Sequence, residues 1–172
     1  AELAQEEHDI PELDQVVQSI GRIDSLIDDV AALTKEGQVV GEIERVDIEA
    51  CAGDAWGNVA TETADLTISD DIGVVEADES RLHGVFENLF RNAVEHADSD
   101  VSIRIGRLPD DEGLYIEDTG SGIPPSIQDE VFDYGYSTTD GGTGYGLSIV
   151  KQIVNGHGWD ISVTESEAGG AR

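Results

Sequence analysis

The sequence predicts an α+β fold, a two-layer sandwich of helices on a sheet, with a long helix in front of it. Three observations predict it. Strand-like and helix-like stretches both occur, yet hairpins and long loops replace the regular βαβ alternation of a doubly wound sheet. The first 36 residues carry a heptad seam too long for an element that merely covers a compact domain. The composition is globular: with Gly counted and Tyr left out, about 47 % of the 172 residues are apolar, inside the ordinary range.

In chain order, residues 1–7 are helix-compatible and His8 to Pro11 read as a turn. From Glu12 to Glu36 the apolar positions Leu13, Val16, Ile20, Ile23, Ile27 and Val30 follow a 3-4-3-4-3 spacing, and Gly37 ends the run. Val17, Leu26 and Leu33 widen the stripe from a two-stranded seam towards a bundle. Such a helix spans roughly 37 Å. A dimerising hairpin over residues 1–37 is the expectation, and a helix lying on its own core is the alternative. Beyond it, residues 38–172 form the sandwich. Strands are expected at Ile43 to Asp47, Ala64 to Ser69 and Val74 to Glu76, with a helix from Ile48 to Asn58. Asp78 is an N-cap candidate for a helix reaching Ala97. Val101 to Arg107 and Leu114 to Asp118 alternate as strands joined by a turn with Pro109 and Gly113. A glycine-rich stretch from Thr119 to Gly146 is broken by a short segment at Ile127 to Phe132. A helix from Gly144 to Asn155 and a strand from Asp160 to Glu165 complete the order.

Charge narrows the function. Asp and Glu total 38 against 9 Lys and Arg, a formal net charge of −29. Affinity for duplex nucleic acid comes from cations that displace phosphate counterions, so direct nucleic-acid binding is not expected. The same repulsion argues against an anionic membrane surface. Lys35 and Lys151 are the only lysines, and acid excess with few lysines reads as adaptation to high salt, where screening tolerates self-repulsion. Cys51 alone cannot close an internal disulfide and fits a reducing cytosol. Neither a span of ~20 apolar residues nor a secretory leader is read, so the expectation is a halophilic cytoplasm. The opening in mid-pattern reads as a fragment, and membrane attachment of a longer parent stays open.

Three motifs carry chemistry. On the helix after Asp78, Leu82, Phe86, Leu89, Ala93 and Ala97 make an apolar face, and Asn88, Asn92 and His96 form a row on its shoulder, one turn apart. Side-chain amides bury poorly without partners. The row therefore lines a polar ligand site with an amide oxygen for a hard cation such as Mg²⁺, or else is an Asn-rich amphipathic boundary. Next, Asp118-Thr119-Gly120-Ser121-Gly122-Ile123 sits where a strand ends. It is either a tight turn or a place where backbone meets a flat ligand and the carboxylate accepts from an exocyclic amine. Third, Gly141-Gly142-Thr143-Gly144-Tyr145-Gly146-Leu147 opens an apolar helical run. It is either a flexible linker or a phosphate site made of backbone N–H groups at a helix N-terminus, which needs no basic side chain. No Gly-Lys-Ser/Thr follows, so it is not a Walker A loop.

Their order decides between these readings: an Asn-x-x-x-Asn helix, DxGxGI, a loop with Phe132, then GTGYGL. In this the sequence resembles, over residues 43–165, the C-terminal catalytic and ATP-binding domain of sensor histidine kinases. That ATPase fold is shared with gyrase, Hsp90 and MutL. Glu87 to His96 look like the family's N box, Asp118 to Ile123 its first glycine box, Phe132 its F box, and Gly142 to Leu147 its second glycine box. The acidic composition makes a haloarchaeal kinase the nearest resemblance. By similarity, Asn92 would coordinate the Mg²⁺ that bridges the ATP phosphates and Asn88 would help hold the phosphates; Glu95 and His96 close that box. Asp118 would take the adenine amino group, with Gly120, Gly122 and Ile123 against the base. Tyr136, Ser137 and Thr138 would belong to an ATP lid running from Phe132 to Gly141. Gly142, Thr143, Gly144, Tyr145, Gly146 and Leu147 would bind the phosphates. Glu87 is expected to face solvent, 100° round the helix from Asn88.

The resemblance implies transfer of the γ-phosphoryl group to a histidine, homodimerisation through the hairpin, and relay to the receiver domain of a response regulator. Three departures qualify it. His8-Asp9 copies the start of a phosphoacceptor motif, but the proline comes at Pro11, three positions on, so His8 is read as loop and the acceptor as lying upstream. The lid holds no basic residue, and Glu95 stands where many relatives carry Lys or Arg. The chain ends at Arg172 where relatives continue into another strand. A nucleotide-binding pseudokinase that dimerises without transfer is the alternative.

Overall fold

The computed structural model describes residues 40–59, 64–97, 100–109, 113–137 and 144–172. The expected hairpin over 1–37, with His8, lies outside them. Five strands and three helices are described: β1 (Glu44–Asp47), α1 (Ile48–Gly57), β2 (Ala64–Ile68), β3 (Val74–Ala77), α2 (Glu79–Glu95), β4 (Val101–Arg107), β5 (Leu114–Asp118) and α3 (Gly146–Gly156).

Strand β4 is the middle of a three-stranded sheet, parallel to β2 and antiparallel to β5, with Ile103 opposite Asp118. Its alternation is clean: Val101, Ile103 and Ile105 are buried while Ser102 and Arg104 are exposed, so one face meets the helices. Strands β1 and β3 pair antiparallel as a separate ribbon. The main core lies between α1, α2 and the sheet, where Phe86, Phe90, Ile48, Ile72, Ile103 and Ile105 are almost fully buried. Trp56 of α1 meets Phe90 edge-on at 5.4 Å between centroids. Cys51 lies in this core; burial, then the Glu79 and Asp54 carboxylates, push its thiol up to about 11, so it packs as a neutral apolar group.

A second cluster joins α2 to α3, with Val85 and Leu89 against Ile149, Val150, Ile153 and Val154. Helix α2 is therefore covered on two sides, and its apolar stripe is wider than a single face of a surface helix. Helix α3 ends in a Schellman turn: the Trp159 N–H donates to Val154 O at 3.1 Å and the Gly158 N–H to Asn155 O at 2.9 Å, with Gly158 at φ 76°.

Asp78 ties these layers together. Its Oδ1 accepts from the Arg81 N–H at 3.1 Å and from Ser80 Oγ at 2.9 Å, and its Oδ2 accepts from the Gly41 N–H at 2.9 Å. Its own N–H donates to His157 Nε2 at 3.0 Å, which places the imidazole proton on Nδ1, 2.8 Å from Ile153 O. The start of α2 is thus fastened to the end of α3. Burial pushes the Asp78 carboxyl up, but the hydrogen bonds from Ser80, Gly41 and Arg81, with the Arg81 guanidinium nearby, leave it below its ordinary 3.8. A depressed carboxylate stabilises the fold above the unfolded value and loses that contribution as pH falls through the folded one. Asp78→Ala is expected to cost about 2 kcal/mol at pH 7. That deficit should shrink below about pH 4, as read from urea unfolding of both chains at each pH.

The expected strand from Asp160 to Glu165 is not one. Ile161 and Val163 are half-buried between exposed neighbours, so the alternation marks a one-sided face, but among the described residues no sheet strand pairs with it. The end of the segment turns back on itself, with a bridge from Glu165 to Ala171 and reciprocal backbone hydrogen bonds between Thr164 and Arg172 at 2.7 and 2.8 Å. The segment Ile127 to Phe132 is a series of turns that buries Val131 and Phe132. No helix among the described residues is long and apolar enough to cross a membrane.

Candidate functional site

The Asn row lies where α2 passes the start of α3. Asn88 Nδ2 donates to Gly84 O at 2.8 Å, which turns its Oδ1 the other way. That oxygen faces Gly146, the first residue of α3. A Cβ at Gly146 would sit 3.2 Å from Asn88 Oδ1 and 3.6 Å from Asn92 Oδ1. Two carboxamides and a helix terminus meet at this glycine. The space a side chain would fill is a polar cradle. At the N-cap, Tyr145 gives no side-chain hydrogen bond to the first turn of α3, whose N–H groups point along the helix axis, an arrangement able to receive an anion.

The second glycine box is clamped as well. Gly144 has φ 70°, and its carbonyl accepts from the Gly135 N–H at 3.1 Å. A Cβ on it would lie 2.5 Å from the Gly135 carbonyl carbon and 2.8 Å from Tyr136 O. Gly135–Tyr136, within the expected lid, is therefore joined to Gly144, just beyond its end. Tyr136 is half-buried at this joint and Ser137 is exposed beyond it; Thr138, Gly142 and Thr143 lie outside the described residues. Leu147 is half-buried in the first turn of α3. Lys151, one turn further on, holds its ammonium 5.4 Å from the centre of the buried Phe132 ring, a contact that the sequence did not signal.

At the other end of the site, Asp118 finishes β5. Its Oδ1 accepts from the Gly120 N–H at 2.8 Å and the Ala171 N–H at 3.2 Å. Gly122 has φ 70° and packs on the backbone of Gly169 and Gly170. Ile123 is half-buried, with its carbonyl accepting from Gln128 Nε2 at 3.0 Å. Ser121 Oγ donates to His96 O at 3.2 Å, so the first glycine box is fastened to the C-terminus of α2. His96 and Glu95 are exposed there.

Glu87 departs from the expectation. It is half-buried: its Oε1 accepts from Asn58 Nδ2 at 2.8 Å, and His83 Nδ1 lies 3.7 Å from Oε2. The reason is α1, whose C-terminus packs beside this flank of α2. Glu87 thus joins two helices and is turned away from the cradle.

The donor set suits a hard cation carried in with phosphates. Among the described residues no group of three His, Cys, Asp or Glu forms a metal cage. Mg²⁺ keeps several waters and takes few protein oxygens, so one amide beside a helix N-terminus fits it.

Residues 77–172 match the family described as histidine kinase-, DNA gyrase B-, and HSP90-like ATPase. The chain belongs to that family. The probable sensor histidine kinase TcrY of Mycobacterium tuberculosis is 32 % identical over 184 residues, covering 96 % of this chain and 38 % of TcrY. This chain therefore spans about two fifths of that relative's length. Among solved structures, the mycobacterial sensor histidine kinase MprB gives a TM-score of 0.62 at 27 % identity, covering 75 % of this chain and 92 % of that chain. The kinase ThkA, solved in complex with the response regulator TrrA, gives 0.70 at 20 % identity over 98 % of this chain and 51 % of that one, a likeness of fold. The fold is that of histidine kinase catalytic domains, homologous to sensor kinases of two-component signalling.

Proposed function

We propose that the chain is the catalytic part of a sensor histidine kinase, binding ATP with Mg²⁺ between α2, the end of β5 and the start of α3. The γ-phosphoryl group would go to a histidine upstream of residue 1. The observation that carries this reading is the meeting of the Asn88 and Asn92 oxygens on Gly146, at the first turn of α3, which the Tyr145 side chain does not cap. Asn92 would hold Mg²⁺, which when bound neutralises charge on the phosphates, and Asn88 would orient them. The N–H groups of residues 142–147 would cradle the phosphates, and Asp118 would accept from the adenine amine, with Gly120, Gly122 and Ile123 beside the base. Residues 132–141 would close over the nucleotide as a lid. Phosphoryl transfer asks little covalent chemistry of the protein, so positioning and electrostatics suffice. In a chain of net charge −29, a phosphate site of N–H groups and a helix terminus is the arrangement that needs no basic side chain.

Residues 1–37 would be the end of a dimerisation and phosphotransfer hairpin, mainly its second helix, pairing with a second copy. The receiver domain of a response regulator would then take the phosphoryl group, an expectation supported by ThkA's complex with TrrA. The site of action would be the cytoplasm, at high salt. A second reading, a nucleotide-binding pseudokinase, is favoured by one observation. No Lys or Arg occurs from Phe132 to Val150, and the next cation, Lys151, is held over the Phe132 ring.

Incubation with γ-labelled ATP in molar KCl separates the two. The 172-residue chain is expected to bind ATP without labelling itself, and a chain extended upstream through the first hairpin helix to become labelled on histidine. Binding without label in the extended chain establishes the pseudokinase. Stable label on His8 would overturn its reading as loop.

A further inference from the structure

The turn after α3 reaches back to the candidate base-binding end of the site. We propose that Ser166 is a positioning residue that fixes the aim of Asp118 and so sets selectivity for a 6-amino purine. This rests on the reading of Asp118 as acceptor for the adenine amine. Ser166 is one of only three buried polar residues among those described, at 5 % exposure. Its Oγ donates to Asp118 O at 2.9 Å, across 48 positions of sequence, and accepts from the Gly170 N–H at 2.9 Å. The single hydroxyl proton is committed to Asp118 and a lone pair to the turn, so both partners are satisfied.

The same turn delivers two more restraints. The Ser166 N–H donates to Gly170 O at 2.8 Å and the Gly169 N–H to Ser166 O at 3.0 Å, closing the loop on itself. This sets Ala171 beside β5, where its carbonyl accepts from the Asp118 N–H at 2.9 Å and its N–H donates to Asp118 Oδ1 at 3.2 Å. Asp118 is thereby held at its N–H, its carbonyl and one carboxylate oxygen. Both side-chain bonds, from Ala171 and Gly120, fall on Oδ1, and Oδ2 is the oxygen left to receive an amine. Backbone contact continues through Gly122, where a Cβ would lie 2.8 Å from Gly169 O. Recognition of an exocyclic amine by one carboxylate oxygen depends on direction, and the Ser166 side chain bonds the Asp118 main chain directly.

The test compares affinity of the full chain for ATP and for purine riboside triphosphate, which lacks the 6-amino group, with Mg²⁺ in molar KCl. Wild type should favour ATP by about tenfold or more. In Ser166→Ala the affinity for ATP should fall about fivefold while that for the analogue stays unchanged, and Ser166→Thr, which keeps a hydroxyl, should retain the preference. Should Ser166→Ala not melt cooperatively, Ser166→Cys is read in its place. Equal losses for both nucleotides, or an undiminished preference for ATP, would overturn the positioning role. Asp118→Asn separates the levels. Preference lost there but kept in the Ser166 variants removes Ser166 alone, whereas no preference in wild type removes Asp118 as base acceptor and this proposal with it.

Discussion

Gly144→Ala should lower the affinity for Mg²⁺–ATP by about tenfold or more and the melting temperature by about 10 °C. Two costs add. A left-handed backbone conformation disfavours an L side chain by roughly 1–2 kcal/mol, and Gly144 has φ 70°. The new methyl would also lie 2.5 Å from the Gly135 carbonyl carbon and 2.8 Å from the Gly135 and Tyr136 oxygens. Those atoms are backbone and cannot swing aside, so the strand of chain entering α3 must move away from Gly135. That displaces the N–H groups of the helix start from the Asn88 and Asn92 amides. Gly158→Ala is the control. Gly158 has φ 76°, yet nothing lies within 4 Å of its would-be Cβ, so it meets the dihedral cost alone. A loss of a few degrees with unchanged nucleotide affinity is expected there. Calorimetric melting and nucleotide titration of both variants check the pair. Equal behaviour of the two would mean that the clamp between Gly135 and Gly144 does not shape the site.

Periodicity and punctuation made most of the architecture legible. β4 shows its period of two because one face meets Phe86 and Phe90 and the other meets solvent. Asp47 and Asp78 stand immediately before helices and do accept from the first turn, at 3.1 Å in both cases. The Asn row was legible because a helical repeat puts Asn88 and Asn92 on one side whatever surrounds them. Its counterpart, Gly146, was visible only as one glycine among several; that it faces those amides is a tertiary fact. Alternation misled at Asp160 to Glu165, since a one-sided face does not require a paired strand. Glu87 misled because α1 occupies the flank where a lone helix would meet water. Ser166 gave no signal, because a buried serine bonded to a main-chain carbonyl 48 residues away has no local pattern. The hairpin, His8 and residues 138–143 of the expected lid and phosphate loop fall outside the described residues.

The other large effect falls on Asn92. Its amide oxygen shares the Gly146 cradle with that of Asn88, whose Nδ2 is committed to Gly84 O, which leaves Asn92 the freer carboxamide to turn onto a cation. Asn92→Ala removes that oxygen from a half-buried position outside the two hydrophobic clusters, so the fold should melt within about 2 °C of wild type. Loss of a metal-orienting group commonly weakens metal-dependent binding by 10–100-fold, and a direct ligand belongs at the upper end, about 100-fold. No Lys or Arg occurs from Phe132 to Val150, so that stretch supplies no basic side chain to compensate. Calorimetric titration of ATP into the full chain in molar KCl, with and without Mg²⁺, tests the account at its centre. It should show one site in wild type that needs Mg²⁺ and a roughly 100-fold loss in Asn92→Ala. Wild-type affinity indifferent to Mg²⁺, or an Asn92→Ala chain that binds Mg²⁺–ATP as tightly as wild type, would contradict it.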